Sequence, residues 1–259
     1  MTLNEDPIAI RIRGLKTAFG PQVIHENLDL DVKRGEVIGV VGGSGTGKSV
    51  MLREIIGLHR PSGGSIELLG TDVWHASVAE RTAMRMKIGV LFQDGALFSS
   101  LTVAENIQVP MREHLDLPKP LMDELAALKV AMVGLPPEAG AKLPSELSGG
   151  MRKRAGLARA LALDPDVVFL DEPTAGLDPI GAADFDQLIL SLQRSLGLTV
   201  HMVTHDLDSL ATICDRIAAL VDKRTQVGTM AELMEADHPW LREYFHGPRA
   251  RAAGSATAA

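Results

Sequence analysis

Cysteine is nearly missing from this sequence: Cys214 is the only one in 259 residues. A lone thiol excludes an intrachain disulfide and fits a reducing compartment. With no CxxC pair around it, Cys214 reads as a packing residue. Long apolar runs are missing too. No stretch approaches the roughly 18 uninterrupted apolar residues of a membrane span, so any membrane association has to come through a partner. The opening MTLNEDPIAIRIRG has early acids and no long apolar segment, and does not read as a secretory signal. Net positive charge is also lacking: 26 Lys and Arg stand against 33 Asp and Glu, a formal charge of −7. That balance argues against a dedicated nucleic-acid binder, although a local basic patch fits inside an acidic total. No repeat of fixed period is present.

What is there is enough for a sizeable core, with 46% hydrophobic residues distributed in short periodic segments. Ile8, Ile10 and Ile12 alternate with polar residues, as do Leu28, Leu30 and Val32, and both segments read as half-buried strands. EVIGVV at 36–41 is a short apolar run, as expected for a strand buried on both faces. A Gly-rich loop and a helix over about 47–57 follow. Further apolar runs lie at 66–69, 88–92, 167–170, 198–203 and 216–221, with helical patterns between several of them. Such alternation predicts an α/β protein with a largely parallel sheet. From about 99 to 165 the pattern turns helical, punctuated by Pro110, Pro118, Pro120, Pro136, Pro137 and Pro144, and reads as a helical insertion. One domain is expected over 8–245, its core at 8–98 and 166–230. The end, HGPRARAAGSATAA (246–259), reads as a frayed tail.

GGSGTGKS at 42–49 fits G-x-x-x-x-G-K-[ST] and stands between a predicted strand and a predicted helix, the context that gives the pattern meaning. Gly42, Gly43, Ser44, Gly45, Thr46 and Gly47 let successive N–H groups turn toward phosphate oxygens, and the helix start at Lys48, Ser49 and Val50 adds partial positive charge. Lys48 is suited to the β- and γ-phosphates of a nucleotide, Ser49 to Mg²⁺. DVVFLDE (166–172) is an apolar strand ending in two acids. Asp171 is placed to hold Mg²⁺ and Glu172 to polarise an attacking water. Against this stands the ordinary reading of a pair of acids before a helix.

Other residues say little singly. Gln93 directly follows a strand. His205 ends another, where a neutral imidazole can meet a γ-phosphate or simply start a helix. Asp178 in AGLDP looks like an N-cap with Pro179 at the first helical position. Phe19 is either core or a stacking platform for a base. SELSGGMRKR (145–154) opens a basic helix with a Ser-Gly-Gly turn, a second anion-site pattern about a hundred residues after the first. Its cations Arg152, Lys153, Arg154 and Arg159 point several ways around a helix, which disfavours a nucleic-acid patch.

Together, Phe19, GGSGTGKS, Gln93, LSGGM, VVFLDE, GLDP and THD occur in the order seen in the ATP-binding-cassette ATPases, which this chain resembles from about residue 8 to 230. The resemblance implies a P-loop NTPase (RecA-like) core with a mostly parallel sheet, an antiparallel N-terminal β-subdomain and an inserted helical subdomain. It implies ATP and Mg²⁺, the metal held at Ser49, Gln93 and Asp171. It assigns adenine stacking to Phe19, sensing to Gln93, general-base work to Glu172 and the γ-phosphate to His205. Two cassettes of the family pack head to tail, so Ser148, Gly149 and Gly150 would face the partner's ATP, with Asp178 reaching across the dimer. The common form LSGGQ is here LSGGM, with Met151 in the last place; the phosphate-facing residues are kept.

A narrower resemblance lies in FQDGALFSSLTVAENI, PMREH, LPSELSGGMRKRAGLARALALDP and AGLDPI, which look like the Mla-type cassette ATPases of lipid trafficking between the inner and outer membranes of Gram-negative bacteria. It implies a homodimer on the cytoplasmic face of the inner membrane, docked near residues 93–115 on a permease, with MCE-domain and STAS-domain proteins as further partners. Some members carry a C-terminal extension to the opposite subunit; here PWLREYFHGPRARAAGSATAA gives a short amphipathic segment and a low-complexity end. The alternatives are a cassette for another cargo, such as an amino acid, or a soluble cassette protein of DNA repair or translation. The latter usually bring coiled coils, zinc cysteines or tandem cassettes, none of which is present. A catalytically dead regulatory cassette is opposed by Lys48, Asp171, Glu172 and His205.

Overall fold

A computed structural model describes residues 7–93 and 95–247. In chain order it runs β1 (Ile8–Phe19), β2 (Gln22–Lys33), β3 (Val37–Gly42), α1 (Lys48–Ile55), β4 (Gly63–Leu68), β5 (Thr71–Asp72), α2 (Val78–Met86) and β6 (Ile88–Leu91). The helices α3 (Val103–His114), α4 (Lys119–Met132) and α5 (Gly149–Ala160) follow, with 3-10 turns between the last two. The remainder is β7 (Val167–Asp171), α6 (Pro179–Leu196), β8 (Thr199–Val203), α7 (Leu207–Ile213), β9 (Arg216–Val221), β10 (Arg224–Gly228), α8 (Met230–Met234) and α9 (Pro239–His246). The expected apolar runs are all strands. Residues 248–259, most of the expected tail, lie outside the described residues.

The chain divides into two compact units: residues up to Arg81 together with those from His201, and Thr82–Val200. In the first, β1 pairs antiparallel with β2 and with β4, setting Ile10 opposite Val32 and Leu68, and Ile12 opposite Leu30 and Ile66. All six side chains are buried. The period-2 pattern therefore puts one apolar face inward, each such residue worth about 1.5–3 kcal/mol. The other face is polar, as in the Arg13–Asp31 pair at 2.8 Å.

β3 is buried along its whole length and runs parallel to β9, with Gly42 opposite Leu220. Their starting ends are locked by polar bonds. Val37 N–H donates to Asp215 (2.8 Å), and Arg216 donates to both Glu36 oxygens (2.6 and 3.0 Å). The Glu36 hydrogen bond holds the Arg216 guanidinium pKa above its ordinary value. This register places the Gly-rich loop at the free end of β3. Beyond β9, the short β10 pairs antiparallel with it. α7, α8 and α9 then close a cluster of Val41, Leu210, Ile217, Ala219, Leu233, Leu241 and Phe245.

In the second unit β6 and β7 pair in parallel, Leu91 opposite Leu170. α3 opens on a capping box, Thr102 with Glu105. Its buried Asn106 stitches the preceding loop by accepting from Phe98 N–H and donating to the carbonyls of Phe98, Leu101 and Thr102. α5 lies close on β6 because residue 156 is glycine: a Cβ there would come within 2.8 Å of Leu91 and 3.0 Å of the Gly95 backbone. Within the second unit Thr199 N–H bonds to the Asp166 carbonyl, and within the first Thr204 N–H bonds to that of Val40.

Candidate functional site

The Gly-rich loop sits where β3 ends and α1 begins. Gly47 caps α1 in a left-handed conformation, φ 94°, and as a glycine supplies no side-chain cap. Lys48 is buried, its ammonium folded onto the loop and donating to the carbonyls of Gly42 (2.8 Å) and Gly43 (3.1 Å). Ser44 and Gly45 are exposed at the tip, with Thr46 Oγ1 donating to Gly43. Ser49 and Val50 lie half-buried in the first turn of α1.

His205, at the end of β8, belongs to the same unit. Partial burial first, and then the charge of Lys48, hold its imidazole pKa below the ordinary value, so it is neutral at neutral pH. That coupling brings the strand end and the loop lysine to one electrostatic environment. Phe19 is 47% exposed, with one ring face stacked on His59 at 5.0 Å.

Sequence reasoning singled out neither the underside of this loop nor its flank. Beneath it, Thr17 Oγ1 donates to Glu54 of α1 at 2.9 Å, and His25 Nδ1 lies 2.9 Å from the same hydroxyl. His25 Nε2 would come within 2.4 Å of a Cβ on Gly47, so only glycine fits there. Beside it, α9 presents Trp240, stacked on Tyr244 at 4.7 Å, with the indole nitrogen 3.5 Å from a Cβ placed on Gly43. The Tyr244 hydroxyl reaches toward the His205 carbonyl at 3.5 Å. The i, i+4 aromatic pair in PWLREYF was the available signal.

The second unit holds Gln93, Ser148, Gly149, Gly150, Asp171, Glu172 and Asp178. Ser148 is the N-cap of α5, its hydroxyl accepting from Met151 N–H at 3.3 Å. Asp178 is the N-cap of α6, accepting from Gly181 N–H at 2.9 Å, with Pro179 following as expected. These two line one cavity of about 300 Å³ with Gly149, Gly150, Gly176 and Leu177. Gln93 and Gly149 line another, of about 360 Å³, with Arg152 and Lys153. Asp171 and Glu172 are half-buried at the end of β7. The cations of α5 turn to backbone carbonyls of their own unit: Lys153 to Glu172, Arg154 to Val133, and Arg159 to Gly95 and Ala96.

Residues 25–175 match the family model described as ABC transporter. The chain belongs to the ABC transporter family. As a cassette of that family it binds and hydrolyses ATP. It is 42% identical to a protein described as a "probable ribonucleotide transport ATP-binding protein" of Mycobacterium leprae, over 93% of this chain and 70% of that one. It is 38% identical to the intermembrane phospholipid transport system ATP-binding protein MlaF of Haemophilus influenzae, over 92% of this chain and 90% of the relative. Among solved structures it resembles the dimeric ATP-binding cassette MJ0796 bound to ADP and Pi, with a TM-score of 0.78, 29% identity, and coverage of 85% of this chain and 98% of that one. It also resembles cbiO1 from Clostridium perfringens, with a TM-score of 0.80, 27% identity, and coverage of 96% and 100%. The α/β fold expected from the sequence is that of these cassettes. Among the described residues no helix is long and apolar enough to cross a membrane.

Proposed function

We propose that this chain is the ATPase of a phospholipid transport system, working as a homodimer on the cytoplasmic face of a bacterial inner membrane beneath a permease. The observation that carries the cargo is the match to MlaF over nine-tenths of that relative's length. MCE-domain and STAS-domain proteins complete the partner set in this reading. The left-handed glycine cap of α1, together with Lys48, supports the phosphate site, and the neutral His205 beside that lysine supports a contact with the γ-phosphate. Phe19, half-exposed and backed by His59, takes the adenine. Ser148, Gly149 and Gly150 face the ATP held by the partner cassette, with Asp178 beside them.

Ser49, Gln93 and Asp171 offer a hydroxyl, an amide and a carboxylate, the hard oxygen donors that suit Mg²⁺. A Mg²⁺ ion held by these residues would supply positive charge toward the β- and γ-phosphates. Glu172 orients the attacking water and takes its proton, and His205 donates to the γ-phosphate. Lys48 exchanges its two carbonyl acceptors for phosphate oxygens. Hydrolysis then weakens the dimer, and the cycle drives the permease.

A second reading, transport of a ribonucleotide, follows from the name of the mycobacterial relative, which is the more similar over aligned residues but less fully covered. Recovery of the tagged Glu172→Gln chain from detergent-solubilised membranes, with mass spectrometry of proteins and bound lipid, decides between them. A permease, an MCE-domain protein and phospholipid are expected. A permease without lipid or MCE partner discards the cargo, and no membrane protein at all discards the transporter reading.

A further inference from the structure

Glu172 has a left-handed backbone, φ 51°, although it is not glycine and although a proline follows it. An L-residue in that region costs about 1–2 kcal/mol, and the pre-proline position is restricted further. Such a conformation persists only where neighbouring groups over-determine it. Two donors meet the Glu172 carbonyl. One is Ala175 N–H at 3.2 Å, closing the turn. The other is the ammonium of Lys153 at 2.9 Å, from a side chain only 8% exposed. A buried ammonium is tolerated where it is well paired or hydrogen-bonded, and a hydrogen bond from a charged donor is roughly twice as strong as a neutral one.

Lys153 is five residues beyond Ser148, the N-cap of α5. The rise along a helix makes that about 7.5 Å. The same helix, through Arg159, also holds the carbonyls of Gly95 and Ala96, both left-handed and just beyond Gln93. Its cations thus fix two strained turns of the unit. One of those turns carries Glu172.

We propose that Lys153 is a positioning residue for Glu172: by holding the left-handed peptide, it fixes the direction in which the carboxylate leaves the backbone, and ties that direction to the helix that begins at Ser148. The proposal rests on reading Glu172 as the general base. Whatever settles against the Ser148 turn then bears, through α5, on the base of this chain.

The test compares Lys153→Met, Lys153→Arg and Glu172→Gln in the full-length chain, by steady-state ATPase kinetics and thermal melting. Lys153→Met keeps the stem and loses the donor. Its kcat is expected to fall about 10–100-fold, the size expected for a catalytic group misplaced by an ångström, with KM for ATP and melting temperature little changed. Lys153→Arg, which keeps a charged donor, is expected to restore most of kcat at the same KM. Full kcat in Lys153→Met overturns the proposal. So does a loss that appears in KM and melting temperature and that arginine does not rescue. If Lys153→Met does not fold, Lys153→Gln replaces it: an intermediate kcat at unchanged KM is expected, and a wild-type kcat overturns the idea. Glu172→Gln separates the two failures. Retained turnover in that variant removes Glu172 as the base, whereas its inactivity beside a fully active Lys153→Met leaves the base in place and removes only the positioning role.

Discussion

The two glycine-rich helix starts of this chain are built differently. α1 begins at a left-handed glycine with no side-chain cap. α5 begins at Ser148, whose hydroxyl accepts from Met151. A helix start leaves about four N–H groups unsatisfied, and a serine cap answers one of them. At α1 the proposed receptor is the loop itself, with left-handed backbone and a buried lysine folded onto its carbonyls. At α5 the start is already satisfied in part and carries no lysine in its first turn. One is suited to hold an anion alone, whereas the other needs most of the binding energy to come from elsewhere. The composite site proposed above makes the same division of labour.

Removing the lysine breaks the first of these sites. Lys48→Ala is expected to weaken ATP binding by about 100-fold or more, since truncating one partner of a desolvated charge pair costs several kcal/mol. Isothermal titration of the purified chain measures it, and undiminished affinity would mean that the loop does not bind phosphate through Lys48. The second site should respond in the opposite sense. Ser148→Arg leaves ATP affinity of the isolated chain intact while stopping hydrolysis. A dimer mixed with the wild-type chain and active at both sites would contradict the composite arrangement.

Sequence reached the first site further than the second for a physical reason. β3 and β7 are buried on both faces and so appear as bare apolar runs, and the phosphate loop between β3 and α1 is contiguous in the chain. β10 went unread because RTQVG is mostly polar and has no apolar alternation; it is a strand because it pairs antiparallel with β9. The cations of α5 were visible as residues but not as bonds. Their acceptors, at Glu172, Val133, Gly95 and Ala96, are carbonyls, and a carbonyl leaves no trace in a sequence. His25 was invisible for a related reason. It breaks the apolar alternation of β2 as any exposed residue does, yet it is fully buried against Thr17 and Gly47.

The contrast between open and sealed surroundings also holds for two histidines four residues apart, one inside β8 and one just beyond its end. His205, at the exposed end, is held low partly by the charge of Lys48. His201 is sealed inside the strand, and burial alone brings its pKa from 6.5 down to about 4. The unfolded chain therefore binds a proton at His201 through that window while the folded chain does not. Stability rises with pH wherever the unfolded state binds more protons, so the contribution of the neutral ring is complete above the ordinary imidazole value and is lost as pH falls toward 4. The size is about 3 kcal/mol across the whole window, at about 1.4 kcal/mol per unit. Urea unfolding at a series of pH values should show that slope in the wild type and a flatter one in His201→Leu. An equal slope in both would mean that His201 takes up its proton without unfolding, and that the interior of β8 is less sealed than its burial indicates.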